Sequence, residues 1–129
     1  MQICNLLMFT GQAEEALNLY VSLLPQSRIV SIERYGDGEA GAKGSVRHAI
    51  FELCGVRHRC IDSPVKHAFT FTPSFSMFVE FDSQEQLQAV LGALSERGKV
   101  LMPAGSYGFS RHFAWIEDRF GVSWQLILP

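Results

Sequence analysis

The sequence predicts an α+β fold built from two tandem βαβββ modules, whose curled mixed sheets enclose a central cavity. One strand–turn–strand pattern occurs twice, at 47–62 and 111–128, and both copies begin with Arg-His and turn at Gly-Val. Apolar, β-branched and aromatic residues flank a glycine in each copy, which is typical of β-hairpins. A helix with a similar apolar stripe precedes each hairpin. Since both patterns recur, the chain is predicted to be built twice.

The first module is predicted to hold a strand, a helix, a second strand and the first hairpin. The strand is the apolar run Ile3–Phe9, and the helix starts near Ala13 and stops at Pro25. Its apolar residues recur at helical spacing, and two glutamates in its first turn suit the positive end of the helix dipole. Residues 28–35 form the second strand.

The second module repeats this order after a linker at 63–73 that contains prolines and threonines. Residues 74–81 are predicted to be a strand, and Ser83 with Gln86 fits a capping box for the helix that follows. Gly98 is predicted to end this helix, before a short strand at 100–101 and a loop at 102–108. A shift of 71 residues superposes the two helix patterns and lays Asn5 on Ser76. The whole chain, 1–129, is predicted to be one domain, with modules at about 1–62 and 74–129.

Composition narrows the classes of function. The chain has 47% hydrophobic and 19% charged residues and a net charge of -2, with its lysines and arginines scattered. This composition is globular and gives no basic patch for nucleic acid. No apolar run approaches a membrane-spanning length and no leader pattern is present, so we expect a cytoplasmic protein that neither spans a membrane nor binds nucleic acid. Cys4, Cys54 and Cys60 form no CxxC pair and are expected to be reduced thiols.

The chain resembles the PhnB-like branch of the vicinal oxygen chelate superfamily, which includes glyoxalases, bleomycin resistance proteins and extradiol dioxygenases. The matching segments are 11–20, 27–29, 35–36, 48–53, 107–110 and 115–126. The run DRFGVSWQ at 118–125 is the most specific of them. The resemblance implies a glyoxalase-like paired-module fold and a homodimer.

This branch often carries the label 3-demethylubiquinone-9 3-methyltransferase, which the sequence pattern disfavours. A common methyltransferase holds its methyl donor at a glycine-rich turn between a strand and a helix of a parallel sheet. Here each predicted β-α unit is followed by an antiparallel hairpin instead.

Superfamily members that use a metal take ligands from the first and last strands of each module. Carried over by position, the resemblance places Asn5, Arg59, Ser76 and Gln125 at those sites. If the fourth strand is shifted by one residue, His58 or Cys60 replaces Arg59. An arginine cannot ligate a metal and a serine ligates weakly, so we predict no metal and no other cofactor.

The same four residues suit a pocket for a small organic molecule, because a few converging polar groups among apolar walls are typical of ligand sites. The alternative is that they hydrogen-bond one another in a filled centre. His48 is predicted to point to the cavity side and is a weak candidate for acid–base catalysis. Asp118 is predicted to organise the turn of the second hairpin.

Three functions follow from this interpretation. The preferred one is a metal-free protein that binds a small organic molecule in its barrel cavity. The second is a lyase, isomerase or dioxygenase-type enzyme of the superfamily, and the third is a structural dimer with a filled cavity. The residues do not identify a ligand.

Overall fold

The computed structural model describes residues 1–129. The chain divides into two compact units, Met1–His67 and Ala68–Pro129. The first unit contains β1 (Leu6–Phe9), α1 (Ala13–Leu23), β2 (Arg28–Arg34), β3 (Val46–Leu53) and β4 (Val56–Asp62). The second contains β5 (Ser76–Glu80), α2 (Gln84–Ser95), β6 (Lys99–Gly105), β7 (His112–Glu117) and β8 (Ser123–Leu128). That the two units act as one domain stays a prediction.

Each unit has one mixed four-stranded sheet with the same topology. The strand orders are β1-β4-β3-β2 and β5-β8-β7-β6. In each sheet the first strand is parallel to the last, and the other neighbours are antiparallel. The α+β fold of two βαβββ modules is thereby confirmed. Both sheets have free edges, so the strand pairing does not close either of them into the barrel that the sequence suggested.

One face of each sheet packs on the helix of its own unit. In the first unit the buried side chains of Leu7, Phe9, Ala49, Phe51 and Cys60 alternate along their strands with less buried neighbours. In the second unit Met77, Ala114, Ile116, Trp124 and Leu126 occupy the corresponding face, and Phe113 and Ser123 beside them are also buried. Because side chains alternate across a strand, their neighbours lie on the opposite face, which we call the far face.

Two element boundaries differ from the predictions. The first strand starts at Leu6 and not at Ile3, whose side chain is 98% exposed. The strand after α2 is longer than predicted and runs through Pro103 to Gly105. This strand is at the edge of its sheet, and its pairing with β7 has register shifts. An edge strand tolerates a proline because the backbone groups on its outer side need no partner strand.

The turns follow the sequence more closely. Cys54 and Gly55 join β3 to β4 and both have positive φ angles, 51° and 80°, as in a type I′ hairpin turn. Asp118 accepts hydrogen bonds from the backbone N–H groups of Phe120 and Val122, so its predicted role in the second turn is confirmed. The Ser83 hydroxyl caps α2 by accepting the N–H of Gln86. Neither helix is long and apolar enough to cross a membrane.

Candidate functional site

The far face of the first unit carries His48 and Arg59 side by side. Ile50 is the direct partner of Arg59, and the Arg59 Nη1 atom lies 3.1 Å from Nε2 of His48. A guanidinium group can only donate, so Nε2 must accept and the ring proton is assigned to Nδ1. Both side chains are half-buried. Histidine therefore holds the arginine in a defined position.

A recess of about 580 Å³ opens beside this pair and is lined by Gln2, Ile3, Cys4, Arg57 and Arg59. Two of the five lining side chains are cationic and none is acidic. Outside this lining, the Oε2 atom of Glu52 lies 3.8 Å from Nη2 of Arg57. The recess is therefore an electropositive part of the first unit.

Asn5 does not lie with Arg59, contrary to the prediction. Its Oδ1 atom is 2.5 Å from Nδ1 of His58, and the His58 ring packs 5.3 Å from the ring of buried Phe51 on the helix-facing side. The register pairs Leu6 with Arg59, so Leu6 occupies the far face and Asn5, one residue earlier, points to the other side.

The same register answers the open question about the fourth strand. Cys60 is buried against the helix side, and His58, two residues earlier, shares its face. Arg59 therefore occupies the far face.

Ser76 and Gln125 do come together, in the second unit. Gln125 Nε2 donates to the Ser76 hydroxyl over 3.2 Å, and the hydroxyls of Ser76 and Ser123 are 2.7 Å apart. The indole N–H of Trp115 donates to Ser123 over 2.8 Å. These four side chains form one continuous hydrogen-bond chain on the far face of this sheet.

Strand pairing also corrects the repeat offset used for the first strands. Arg59 and Gln125 are equivalent residues, because each lies four residues after its hairpin glycine. Arg59 pairs with Leu6, and Gln125 pairs with Phe78. Leu6 and Phe78 are thus equivalent, 72 residues apart. The offset of 71 that placed Asn5 on Ser76 holds for the helix starts at Ala13 and Gln84 but fails in the strands.

The residues present do not fit a divalent metal ion. No group of three or more His, Cys, Asp or Glu side chains is arranged to hold one. In the first unit His48 already accepts from a guanidinium, and in the second the candidate donors are a serine and an amide that bond each other. Without a carboxylate or thiolate, such sets bind divalent metals weakly.

Comparison with known proteins decides the family. Residues 1–127 match the family model described as 3-demethylubiquinone-9 3-methyltransferase. The chain belongs to this family. It is a PhnB-like member of the vicinal oxygen chelate superfamily, as the sequence motifs predicted. None of the curated proteins compared with the chain matches it.

Solved structures of similar proteins agree with this family. The PhnB protein of Bacillus cereus is 50% identical, with both chains fully covered and a TM-score of 0.97. Protein PA1353 of Pseudomonas aeruginosa is 27% identical over 99% of this chain and 97% of its own, with a TM-score of 0.86. A possible glyoxalase from Bacillus cereus shares the fold, with 13% identity, 98% coverage of both chains and a TM-score of 0.60.

Several residues of these sites were not among the site residues predicted from the sequence. Arg57 lines the recess, Phe78 and Trp115 flank Gln125 on neighbouring strands, and Asp62 is buried beneath the start of α1. Alternation within β4 places Arg57 on the face of Arg59 and is readable from sequence. The neighbours of Gln125 depend on cross-strand register, which the sequence pattern left open.

The three thiols are expected to react at very different rates. Cys4 and Cys54 are exposed, whereas burial, with the nearby charge of Asp62 as a second cause, raises the pKa of Cys60 to about 12. Burial also raises the pKa of Cys54. Since the thiolate is the reactive form, a disulfide-forming colour reagent at pH 8 should label Cys4 first, Cys54 more slowly and Cys60 only after unfolding. Mass-spectrometric mapping checks the order; labelling of Cys60 in the folded protein contradicts it.

His58 is expected to make stability depend on pH. Burial lowers the pKa of its imidazole below the ordinary value of 6.5, so the unfolded chain binds a proton more readily than the folded one. The free energy of unfolding should be fully retained above pH 6.5 and should fall as the pH drops toward the folded-state pKa. Urea denaturation between pH 5 and 7.5 measures this slope. His58→Gln should reduce the dependence of unfolding free energy on pH, while the glutamine amide can still donate to Asn5. An unchanged pH dependence contradicts the role assigned to His58.

Proposed function

We propose that this protein binds a small anionic organic molecule in the recess of the first unit, without a metal ion. The observation that carries the proposal is the lining of the recess, which presents Arg57 and Arg59 and no acidic side chain. Guanidinium groups bind carboxylate and phosphate oxygens through charge-assisted, often bidentate hydrogen bonds. Only the Nη1 atom of Arg59 contacts His48, so its other N–H groups can serve a ligand.

Preorganisation supports the same interpretation. The contact with His48 orients Arg59 before a ligand arrives, which lowers the entropy cost of binding. Ile3 and the stem of Arg57 supply apolar surface for the organic part of the ligand. The volume lies within the usual range for small-molecule sites, about 300–1,000 Å³.

The strand order disfavours the methyltransferase activity that the family description names. Both units place antiparallel hairpins after their helices. Neither sheet is all-parallel, and the turn from β1 into α1 has Gly11 alone instead of the glycine-rich sequence that holds a methyl donor in the common enzymes of that class. The residues of the two far faces instead support binding of an organic molecule.

The second candidate is a lyase, isomerase or dioxygenase-type enzyme of the superfamily, and His48 is the residue that favours it. The basic atom of this imidazole is Nε2, which accepts from Arg59 in the free protein, so proton abstraction requires a ligand that takes the Arg59 N–H away from it. For an enzyme, His48→Gln should abolish turnover and retain binding of the anion. If the protein only binds its ligand, the wild type itself should show no turnover.

We also propose that the protein is a homodimer. Val100 on the edge strand β6 and Phe109 in the segment after it are large apolar residues that remain exposed in the single chain, and apolar surface of this kind favours association. Sedimentation equilibrium tests the dimer, and a monomer at micromolar concentration contradicts it.

The three unpaired cysteines support a reducing compartment such as the cytoplasm.

The binding proposal is tested by isothermal titration calorimetry of benzoate and its neutral analogue benzamide, in the presence of a chelator. Benzoate should bind and benzamide should not. Arg59→Gln should weaken benzoate binding by about 10–100-fold, since a charge-assisted hydrogen bond contributes roughly 1.5–3 kcal/mol. Arg34→Gln is the matched control, because Arg34 pairs with Glu14 of α1, away from the recess. Equal binding of benzoate and benzamide, or equal losses in the two variants, contradicts the proposal. A structural dimer with a filled cavity predicts no binding at all.

A further inference from the structure

We propose a second recognition site on the far face of the second unit, formed by Phe78, Gln125 and Trp115, which takes a planar ring bearing an N–H or O–H donor. It rests on the proposed function in one respect, that the ligand is a small organic molecule. It concerns a different unit and different residues, and it names the chemistry of the ligand's ring.

Register places the three side chains in one row. Gln125 of β8 is the direct partner of Phe78 on β5 and of Trp115 on β7. Directly opposed residues point to the same side of a sheet, so an amide stands between two aromatic side chains. Adjacent strands are about 4.8 Å apart, which puts the α-carbons of Phe78 and Trp115 about 10 Å from each other. A flat ring that contacts an aromatic side chain on each of its faces needs the two side chains about 7 Å apart. The Phe78 and Trp115 side chains reach this separation if they lean toward each other.

Both ends of the row suit a ligand. The Phe78 side chain is 57% exposed, so its ring can contact a ligand. Trp115 is half-buried, and its donation to the Ser123 hydroxyl over 2.8 Å fixes the indole plane. One wall is therefore preset, and the other is accessible.

The hydrogen-bond chain determines what the centre of the row recognises. Ser123 accepts from Trp115, so its own proton is available to the Ser76 oxygen 2.7 Å away. Ser76 then accepts from Ser123 and from Gln125 Nε2, and donates to the carbonyl of Pro73. This pattern leaves the Gln125 Oε1 atom as an acceptor without a hydrogen-bond partner. An acceptor between two aromatic walls selects a flat ligand that donates a hydrogen bond.

The test uses 2-quinolinone, a planar bicyclic lactam with a ring N–H, and N-methyl-2-quinolinone, which has the same ring without that donor. Titration calorimetry should show 2-quinolinone binding at one site per chain and the N-methyl compound at least tenfold more weakly. The Trp115 indole N–H resonance should shift on binding, and that of Trp124, which is 1% exposed, should not.

Phe78→Ala should weaken 2-quinolinone binding about tenfold, as expected for loss of one aromatic contact. Phe75→Ala is the matched control, because Phe75 is 60% exposed but lies outside the row, and it should bind as the wild type does. Gln125→Leu should remove the preference for the N–H compound. The pair of compounds tests the donor in the wild-type protein, whatever the variants do to folding.

The outcomes separate the two proposals. If benzoate binds and 2-quinolinone does not, or binds no better than its N-methyl analogue, the ring site is wrong and the anion recess stands. Equal effects of Phe78→Ala and Phe75→Ala also overturn the ring site. If 2-quinolinone binds with these dependences and benzoate does not, the ring site stands and the recess is wrong.

Discussion

Replacing Asp62 by alanine is expected to destabilise the protein by about 3–5 kcal/mol, because it removes the acceptor of several buried hydrogen bonds at once. Asp62 is 3% exposed and accepts three backbone hydrogen bonds, from Gly11 at 2.8 Å, Ala13 at 3.0 Å and Val46 at 2.9 Å. It caps the N-terminus of α1 and fixes the start of β3 at once. Alanine leaves three N–H groups without this acceptor, each at a cost of about 1–3 kcal/mol when buried.

Urea denaturation followed by circular dichroism measures this loss. Asp37→Ala is the matched control, because the Asp37 side chain is 85% exposed and contacts only Lys43 among the recorded ion pairs. Exposed ion pairs contribute about 0–1 kcal/mol, so the control should be close to wild type. A loss below about 1 kcal/mol for Asp62→Ala contradicts the role assigned to it.

Replacing Asp118 by alanine is expected to cost about 3 kcal/mol. This aspartate, also 3% exposed, accepts from the N–H groups of Phe120 and Val122 and from the indole N–H of Trp124 at 2.9 Å. Its loss removes the organiser of the β7–β8 turn and leaves a buried indole donor without this acceptor.

A double-mutant cycle isolates the indole bond. Trp124→Phe removes the donor, so Asp118→Ala should cost less in the Trp124→Phe background than in the wild type, by about 1–2 kcal/mol. Asp82→Ala, at an exposed aspartate before α2, is the control. Additive effects of the two substitutions contradict a stabilising contact between the aspartate and the indole.

The two aspartates show how far the sequence specified the fold. The glycines at 55 and 121 and the Asp118 turn residue act through local backbone conformation, so they were readable from sequence. Asp62 joins segments that are 16 to 51 residues apart in the chain, and no local pattern reveals such contacts. The apolar stripes of the two helices were recognised because helical spacing is also a local signal.

The candidate site was only partly predictable for the same reason. Alternation along β3 and β8 correctly placed His48 and Gln125 on the far faces. Asn5 was misplaced because the offset of 71 residues, which fits the helices, is 72 in the first strands, and an error of one residue reverses the face of a side chain. The row of Phe78, Gln125 and Trp115 depends on the pairing of three strands, which is a tertiary property.

Binding in the absence of metal is the central prediction for this protein, and one titration tests it most directly. Benzoate is titrated into chelator-treated protein, and again after addition of Mn²⁺, Zn²⁺, Ni²⁺ or Fe²⁺, with elemental analysis of the dialysed samples. The Arg57 and Arg59 recess predicts the same dissociation constant in every case and no stoichiometric metal. Stoichiometric tight metal binding, with benzoate affinity that appears only when the metal is present, would contradict it.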